Sequence, residues 1–140
     1  MSDSNITITS GNVKYTDLQR AIADITGGIL TEAGVALDAS KEQTALWATQ
    51  ELRAASMAHG WRHYAKGWDY TTEGGKKARR FIVSNKSHYQ LTHLLEKGHR
   101  IITKDGRDTG KRAPAFPHIA PVNDRVPDVI TKYFEEQLKL

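Results

Sequence analysis

A stretch rich in aromatic residues in the middle of the chain most limits the possible folds. Its aromatic residues lie within ten positions of one another: Trp61, Tyr64, Trp68 and Tyr70. Aromatic side chains favour strands. Residues 73–76 are typical of a turn, and residues 79–84 have the composition of a returning strand. We therefore predict a β-hairpin with a long, mobile tip.

Helical patterns flank this predicted hairpin. Thr16 with Gln19, and Ser40 with Gln43, have the spacing of a capping box, which predicts two N-terminal helices. The first is weakened by glycines at 27–28, where it bends, ends or packs against another backbone. The apolar positions of these two helices are Leu18, Ile22, Ile25 and Ile29, and then Ala45, Ala48, Leu52 and Ala55. Gly60 is a natural stop for the second helix.

The C-terminal half predicts further short elements. We expect a helix at 87–97, a strand at 100–103, a basic loop at 104–111 and an amphipathic helix at 126–140. The apolar stripe of that last helix is Val126, Ile130, Tyr133, Phe134 and Leu138. The predicted fold is α+β: a small antiparallel sheet with a long hairpin, packed against N-terminal helices and a C-terminal helix.

Length and composition favour one domain that spans 1–140. Residues 1–15 are polar and predict a flexible N-terminal arm, although Ile6 and Ile8 alternate as in an edge strand. The chain contains no cysteine, which excludes disulfides and thiolate zinc sites. Its net charge of +4 is a mild excess, whereas a dedicated DNA-binding protein usually shows a denser basic stripe. We expect a soluble protein made in the cytosol, with no membrane contact.

Histidines suggest a metal site, but their spacing argues against one. His93 and Glu96 are three residues apart and can share a helical face, yet no HExxH-like signature is present. The simpler interpretation is that His93, His99 and His118 have structural roles. No nucleophile motif or close acidic pair is evident, so we expect neither an enzyme nor a cofactor.

Basic clusters suggest weak contact with nucleic acid. The candidate DNA-contacting residues are Lys76, Lys77, Arg79, Arg107 and Lys111. Such residues bind phosphates without sequence preference and with strong salt dependence. The simpler interpretation, which we favour, is that they are solvated loop residues whose charge serves solubility. A small basic nucleic-acid-binding protein therefore remains the second functional hypothesis.

Three segments resemble a known family. They are Tyr64-Ala65-Lys66-Gly67-Trp68, then the unbroken run from Ser84 to His99, and then Pro117-His118-Ile119-Ala120-Pro121. Together they resemble the gene-product-ten-like tail-component family of long-tailed bacteriophages, a neck or head–tail joining family. The loop with Asp105-Gly106-Arg107 departs from the Gly-Gly-Arg of many relatives, so the local conformation there is not implied.

The resemblance implies a structural subunit of the virion, with no cofactor. It would stand at the head–tail junction or in the upper tail, as a neck, tail-completion or tail-terminator protein assembled in the host cytoplasm. Its expected partners are copies of itself in a ring, with a hexamer favoured, and adjacent head-closure and tail-tube or tail-terminator proteins. Weak contact with genome DNA in the channel is compatible with this role.

The candidate structural and interface residues come from these segments. They are Tyr64, Gly67, Trp68, Tyr89, Leu91, His93, Leu94, Glu96, Gly98, His99, His118 and Pro121. We expect Leu91, Leu94 and Leu95 to bury the short helix, and Gly98 to end it. Glu96 and His99 would then meet at a tight corner, where a hydrogen bond could hold the geometry.

Overall fold

The computed structural model describes residues 4–13, 27–75 and 79–138. Its strands and helices, in chain order, are β1 (Asn5–Ile8), a short 3-10 helix (Ser10–Asn12), α1 (Gly27–Ala58), α2 (Arg62–Lys66), β2 (Trp68–Glu73), β3 (Arg80–Asn85), α3 (Tyr89–Lys97), β4 (His99–Ile102), β5 (Asp108–Ala113) and α4 (Ile119–Leu138). Helices and small antiparallel sheets are both present, so the predicted α+β class is confirmed.

The predicted aromatic hairpin is confirmed, with a shorter first strand. β2 pairs with β3 antiparallel, from Trp68 opposite Asn85 to Glu73 opposite Arg80. The strand begins at Trp68 and not at Trp61, because residues 62–66 form the helix α2. Aromatic content alone could not distinguish these two states, since packing decides the fate of a short aromatic segment.

The N-terminal segment is part of the sheet. β1 pairs with β3 and completes a three-stranded sheet in the order β1-β3-β2. Its alternate residues Ile6 and Ile8 are fully buried in the core. The prediction of a flexible arm is therefore wrong for residues 5–8, and the alternative of an edge strand is confirmed. Burial of two isoleucines outweighs the polar composition around them.

One long helix replaces the predicted break between two N-terminal helices. α1 runs without interruption from Gly27 to Ala58, so Ser40 lies inside the helix and does not begin one. Its hydroxyl donates to the carbonyl of Ala36, one turn earlier. The predicted start of the first helix at Thr16 lies outside the described residues. Gly60, with a φ of 80°, follows the end of α1 as predicted.

The core lies between the three-stranded sheet and the two long helices. α1 packs along α4, and both contact the sheet. The predicted faces are confirmed at Ala45, Ala48 and Leu52 of α1, which are fully buried. The stripe of α4 is buried at Val126, Ile130 and Phe134, whereas Tyr133 and Leu138 are only partly buried. No helix among the described residues is long and apolar enough to span a membrane.

α4 begins at Ile119, well before the predicted start at Val126. Pro121 therefore lies in its first turn, where a missing N–H costs nothing because that donor has no partner within the helix. Pro127 lies inside the helix. Tertiary contacts at the N-terminus of α4, which the spacing of apolar residues does not report, set its earlier start.

A second hairpin replaces the predicted basic loop. β5 pairs with β4, with His99 opposite Ala113 and Ile102 opposite Asp108, so residues 108–113 form a strand. Gly106, with a φ of 87°, lies in the connecting turn. The glycines and charged residues of this segment predicted a loop. Backbone pairing with β4 makes residues 108–113 a strand instead. This hairpin, residues 99–113, is called the second hairpin below.

Candidate functional site: a polar junction beside an exposed hairpin

A buried polar junction joins three segments of the chain, residues 64–68, 84–99 and 117–121. We define the polar junction by the side chains of Tyr64, Asn85, Glu96 and His118. All four are buried, and they come from α2, the end of β3, α3 and the residue before α4. Segments far apart in the chain therefore meet at one place in the fold.

Glu96 caps the last helix from outside it. One carboxylate oxygen, Oε1, accepts hydrogen bonds from the backbone N–H groups of His118 at 2.7 Å and Ile119 at 2.8 Å. The other, Oε2, accepts from the N–H of Ala120 at 2.9 Å. The first N–H groups of a helix have no partner within it, and a negative charge there is favourable. This contact explains why α4 begins at Ile119.

His118 connects this cap to Tyr64. The His118 Nδ1 atom lies 2.8 Å from the carbonyl oxygen of Phe116 and 3.0 Å from Glu96 Oε1. Both neighbours are acceptors, so Nδ1 carries the proton. In the neutral ring, Nε2 then accepts from the Tyr64 hydroxyl, 2.8 Å away. Burial, together with the negative charge of Glu96, raises the pKa of that hydroxyl.

Asn85 ties the sheet to the junction. Its Nδ2 donates to the carbonyl of Tyr64 at 2.6 Å, and its Oδ1 accepts from the backbone N–H of His88 at 2.9 Å. Gly67 lies against this amide. A Cβ atom at Gly67 would lie 2.2 Å from Asn85 Oδ1 and 2.1 Å from the Ser87 hydroxyl oxygen. The close approach of these chains therefore requires a glycine at position 67.

Aromatic rings enclose the junction. Trp68 is fully buried and donates its Nε1–H to the Ser56 hydroxyl at 3.0 Å. Trp61 stacks on His59 with ring centroids 4.4 Å apart, and meets the ring of His118 edge-on at 5.5 Å. Edge-to-face contacts of this kind stabilise a core beyond simple burial. The junction thus forms the hydrogen-bonded end of the aromatic core.

The predicted motif residues divide into two groups. Those brought into or beside the polar junction are Tyr64, Gly67, Trp68, Glu96 and His118. Those exposed or only partly buried are Tyr89, Leu91, His93, Leu94, His99 and Pro121. Gly98, which follows α3, is partly buried and has a φ of 74°. A Cβ there would lie 2.6 Å from the carbonyl oxygen of Ala113. The turn after α3 therefore requires this glycine.

Two predictions about α3 are wrong. The helix buries Thr92 and Glu96, whereas Leu91 is exposed and Leu94 and Leu95 are only partly buried. The bonds of Glu96 go to the start of α4 and not to His99, which is exposed in β4. A buried carboxylate needs strong donors, and three backbone N–H groups satisfy it better than one surface histidine.

Sequence reasoning missed Asn85, Trp61 and Ser56 as members of the site. Asn85 lies within the motif run, directly after an apolar strand, and an asparagine at a strand end commonly bonds to nearby backbone. That signal was available. The pairing of Ser56 with Trp68 was not, because it depends on how α1 crosses β2.

The histidines do not form a metal site among the described residues. No group of three or more His, Asp or Glu side chains there could hold a metal ion. Glu96 and His118 are adjacent, but backbone groups already occupy both carboxylate oxygens.

The predicted DNA-contacting residues that the structure describes do not form one cluster. Lys76 and Lys77 are outside the described residues. Arg79 is partly buried, and its carbonyl accepts a hydrogen bond from Lys41. Arg107 and Lys111 are exposed on the second hairpin, where the Arg107 guanidinium lies 3.4 Å from Asp105.

A shallow groove opens between α1 and α4. It has a volume of about 380 Å³ and is lined by Trp47, Arg125, Asp128, Val129, Lys132 and Tyr133. Arg125 lies over the Trp47 ring at 4.9 Å and pairs with Glu51 at 3.6 Å. The groove is therefore partly filled by its own side chains.

Comparison of the chain with models of known protein families, with curated proteins and with solved structures found no match.

Proposed function

We propose that this chain is a non-enzymatic structural subunit of a bacteriophage head–tail junction, acting in a neck or tail-completion ring during virion assembly. The observation that carries the proposal is the convergence of the three phage-like segments on one buried polar junction. Residues that share a motif because of catalysis would converge on a cleft. These converge on a contact that joins four elements of the fold.

The chemistry of the junction supports a role in shape. Both oxygens of Glu96 bind backbone N–H groups, and His118 and Tyr64 bind each other. Among the described residues, no buried side-chain nitrogen or oxygen lacks a hydrogen-bond partner. A general acid or base must reach a substrate. Groups committed in this way fix the orientation of α4 relative to α3 and the sheet.

In this role the subunit forms a closed ring by repeating one heterologous contact, with six copies favoured. The ring lies in the virion at the junction of head and tail, between head-closure proteins and the tail tube or its terminator. Genome DNA passes through the ring and meets exposed cations such as Arg107 and Lys111. The rigid core supports this proposal because a ring closes only if each subunit holds its contact surfaces at a constant angle.

The test is electron microscopy of particles from the phage that encodes the chain, with a stop codon at Trp61. Filled heads beside separate tails would support a joining role. Complementation by the wild-type chain in trans should restore joined, infectious particles. Normal infectious particles from the stop mutant would contradict the proposal.

A nucleic-acid-binding protein remains the second candidate, because one observation favours it. The second hairpin is exposed throughout residues 99–112 and carries Arg100, Lys104, Arg107, Lys111 and Arg112. Filter binding across a salt series separates the two functions. High affinity that falls steeply with salt would favour nucleic-acid binding as the main function, whereas weak retention at physiological salt would agree with the ring.

A further inference from the structure

Within the part of the chain that the structure describes, the second hairpin has little support from other elements. β4 and β5 contact each other and make few contacts with any other element. A two-stranded hairpin is at best marginally stable alone in water. β4 nevertheless exposes Ile101 by 41% and Ile102 by 57%. Exposed apolar residues on an unsupported hairpin indicate a surface that a partner covers.

Charge indicates the chemistry of that partner. The second hairpin has five cationic side chains and two carboxylates, Asp105 and Asp108. Its net charge is therefore +3, with histidine neutral. The covering surface should therefore be acidic and should offer apolar or backbone groups to the isoleucines.

One surface of this same chain combines an edge strand with exposed carboxylates. β2 is an edge strand of the three-stranded sheet. Asp69 and Glu73 on β2 and Glu42 on the neighbouring turn of α1 are exposed, and the Tyr70 hydroxyl donates to Glu42 at 3.2 Å. Arg80 pairs with Glu73 at 2.7 Å. Burial, together with the negative charges of Glu42 and Asp69, raises the pKa of Tyr70.

The edge of β2 is protected in its first half and open in its second. Arg53 donates two hydrogen bonds to the carbonyl of Trp68, at 2.7 and 3.0 Å, and Asp69 accepts from the N–H of Tyr70 at 2.8 Å. These side chains block pairing there, a common protection of edge strands. Residues Thr71, Thr72 and Glu73 are exposed. A docking strand would therefore meet the distal half of β2.

We propose that the second hairpin of one copy docks on the acidic β2 edge of a second copy of this chain. The contact is heterologous, since the two surfaces differ, and repeating it generates a ring or a filament. The proposal rests on the proposed function and names the contact that builds the ring. Nucleic acid fits the hairpin less well. Phosphates do not cover the exposed isoleucines Ile101 and Ile102.

Disulfide trapping tests the contact directly, because the chain has no cysteine of its own. Thr72→Cys and Lys111→Cys proteins are purified separately, mixed and gently oxidised. We expect the mixed dimer to predominate over either dimer of identical variants. The control replaces Thr72→Cys by Glu136→Cys, on the exposed face of α4. Trapping that is equally fast with the control, or that favours pairs of Lys111→Cys chains, would overturn the proposal.

Charge reversal provides a second test in the full chain. Glu42→Lys with Asp69→Lys reverses the edge, and Lys111→Glu with Arg112→Glu reverses the hairpin. In sedimentation experiments each variant alone should raise the dissociation constant for self-association by about tenfold or more. A mixture of the two variants should assemble again, since each then meets an opposite charge. Glu135→Lys with Glu136→Lys makes the same charge change as the edge variant and is its control.

The outcomes separate this contact from the proposed function. A chain that stays monomeric at all concentrations, while hairpin reversal abolishes binding to duplex DNA, would overturn the contact in favour of nucleic acid. Specific trapping combined with normal particles from the stop mutant would support the contact and contradict the head–tail role.

Discussion

The polar junction and the second hairpin meet at Gly98, yet polar side chains are buried in the junction and exposed in the hairpin. At the junction, Glu96, His118 and Tyr64 are buried and bonded to one another or to backbone. Across the hairpin every residue from 99 to 112 is exposed. The two regions are therefore under different physical constraints although they are adjacent in the chain.

The comparison teaches where substitutions should change stability and where they should change contacts. A buried polar group must keep its partner, because an unsatisfied one costs about 1–3 kcal/mol. An exposed strand of a projecting hairpin buries little, so its substitutions should change stability by less than about 0.5 kcal/mol. Substitutions in the hairpin should therefore change contacts with a neighbouring molecule and not the stability of the fold.

The largest effect should follow from removing the cap of α4. Glu96→Ala leaves the N–H groups of His118, Ile119 and Ala120 without their acceptor. We expect the free energy of unfolding to fall by about 3–4 kcal/mol, measured by urea denaturation. Glu136→Ala, on the exposed face of the same helix, is the control and should change it by less than about 0.5 kcal/mol. Equal effects of the two would remove the distinction between the regions.

The next effect should come from the tight contact at Gly67. Gly67→Ala forces a Cβ against the Asn85 amide and the Ser87 hydroxyl. Asn85 cannot move away without losing its bonds to Tyr64 and His88. We expect a loss of about 2–3 kcal/mol. Gly75→Ala is the matched control, since a Cβ there meets nothing within 4 Å. A thermal melt in which both variants behave alike would contradict the geometry of the junction.

A smaller effect should appear in alkaline solution at Tyr64. The folded protein raises the pKa of this hydroxyl above its ordinary value of 10.0. Above that pH the unfolded chain loses the proton and the folded chain keeps it, so stability is complete below pH 10 and declines as pH rises. Tyr64→Phe should lose about 1 kcal/mol at neutral pH and show a shallower alkaline decline, by up to about 1.4 kcal/mol per pH unit.

Stability measured from pH 8 to 11 for both proteins gives this difference directly, and other tyrosines and lysines cancel in it. Parallel pH curves for the wild type and Tyr64→Phe would show that the hydroxyl is not held in its protonated form by the fold.

The smallest effect should be in the second hairpin. Ile102→Thr removes an exposed apolar side chain from β4, and we expect the free energy of unfolding to change by less than about 0.5 kcal/mol. The same chemical change at fully buried Ile130 should cost several times more. A large loss of stability from Ile102→Thr in dilute, monomeric protein would mean that the hairpin packs against its own chain.

Elements with strong periodicity were predictable, and those held by distant contacts were not. The faces of α1 and α4 at Leu52 and Ile130 followed from spacing alone. The burial of Ile6 was visible only as a weak alternation. β5 was not predictable, because a strand that contains Gly110 and charged residues forms through pairing with β4 and not through its own preference.

At the site, the sequence by itself determined which segments matter, since the residues of the polar junction lie in the three motif segments. Only the tertiary structure decided their partners. Glu96 bonds to the start of α4, more than twenty residues away, and Tyr64 bonds to His118 across an even longer separation. The physical reason is that a spacing rule reports neighbours on one helix or strand, whereas a buried carboxylate or hydroxyl binds whichever donor or acceptor the packing of separate elements brings to it.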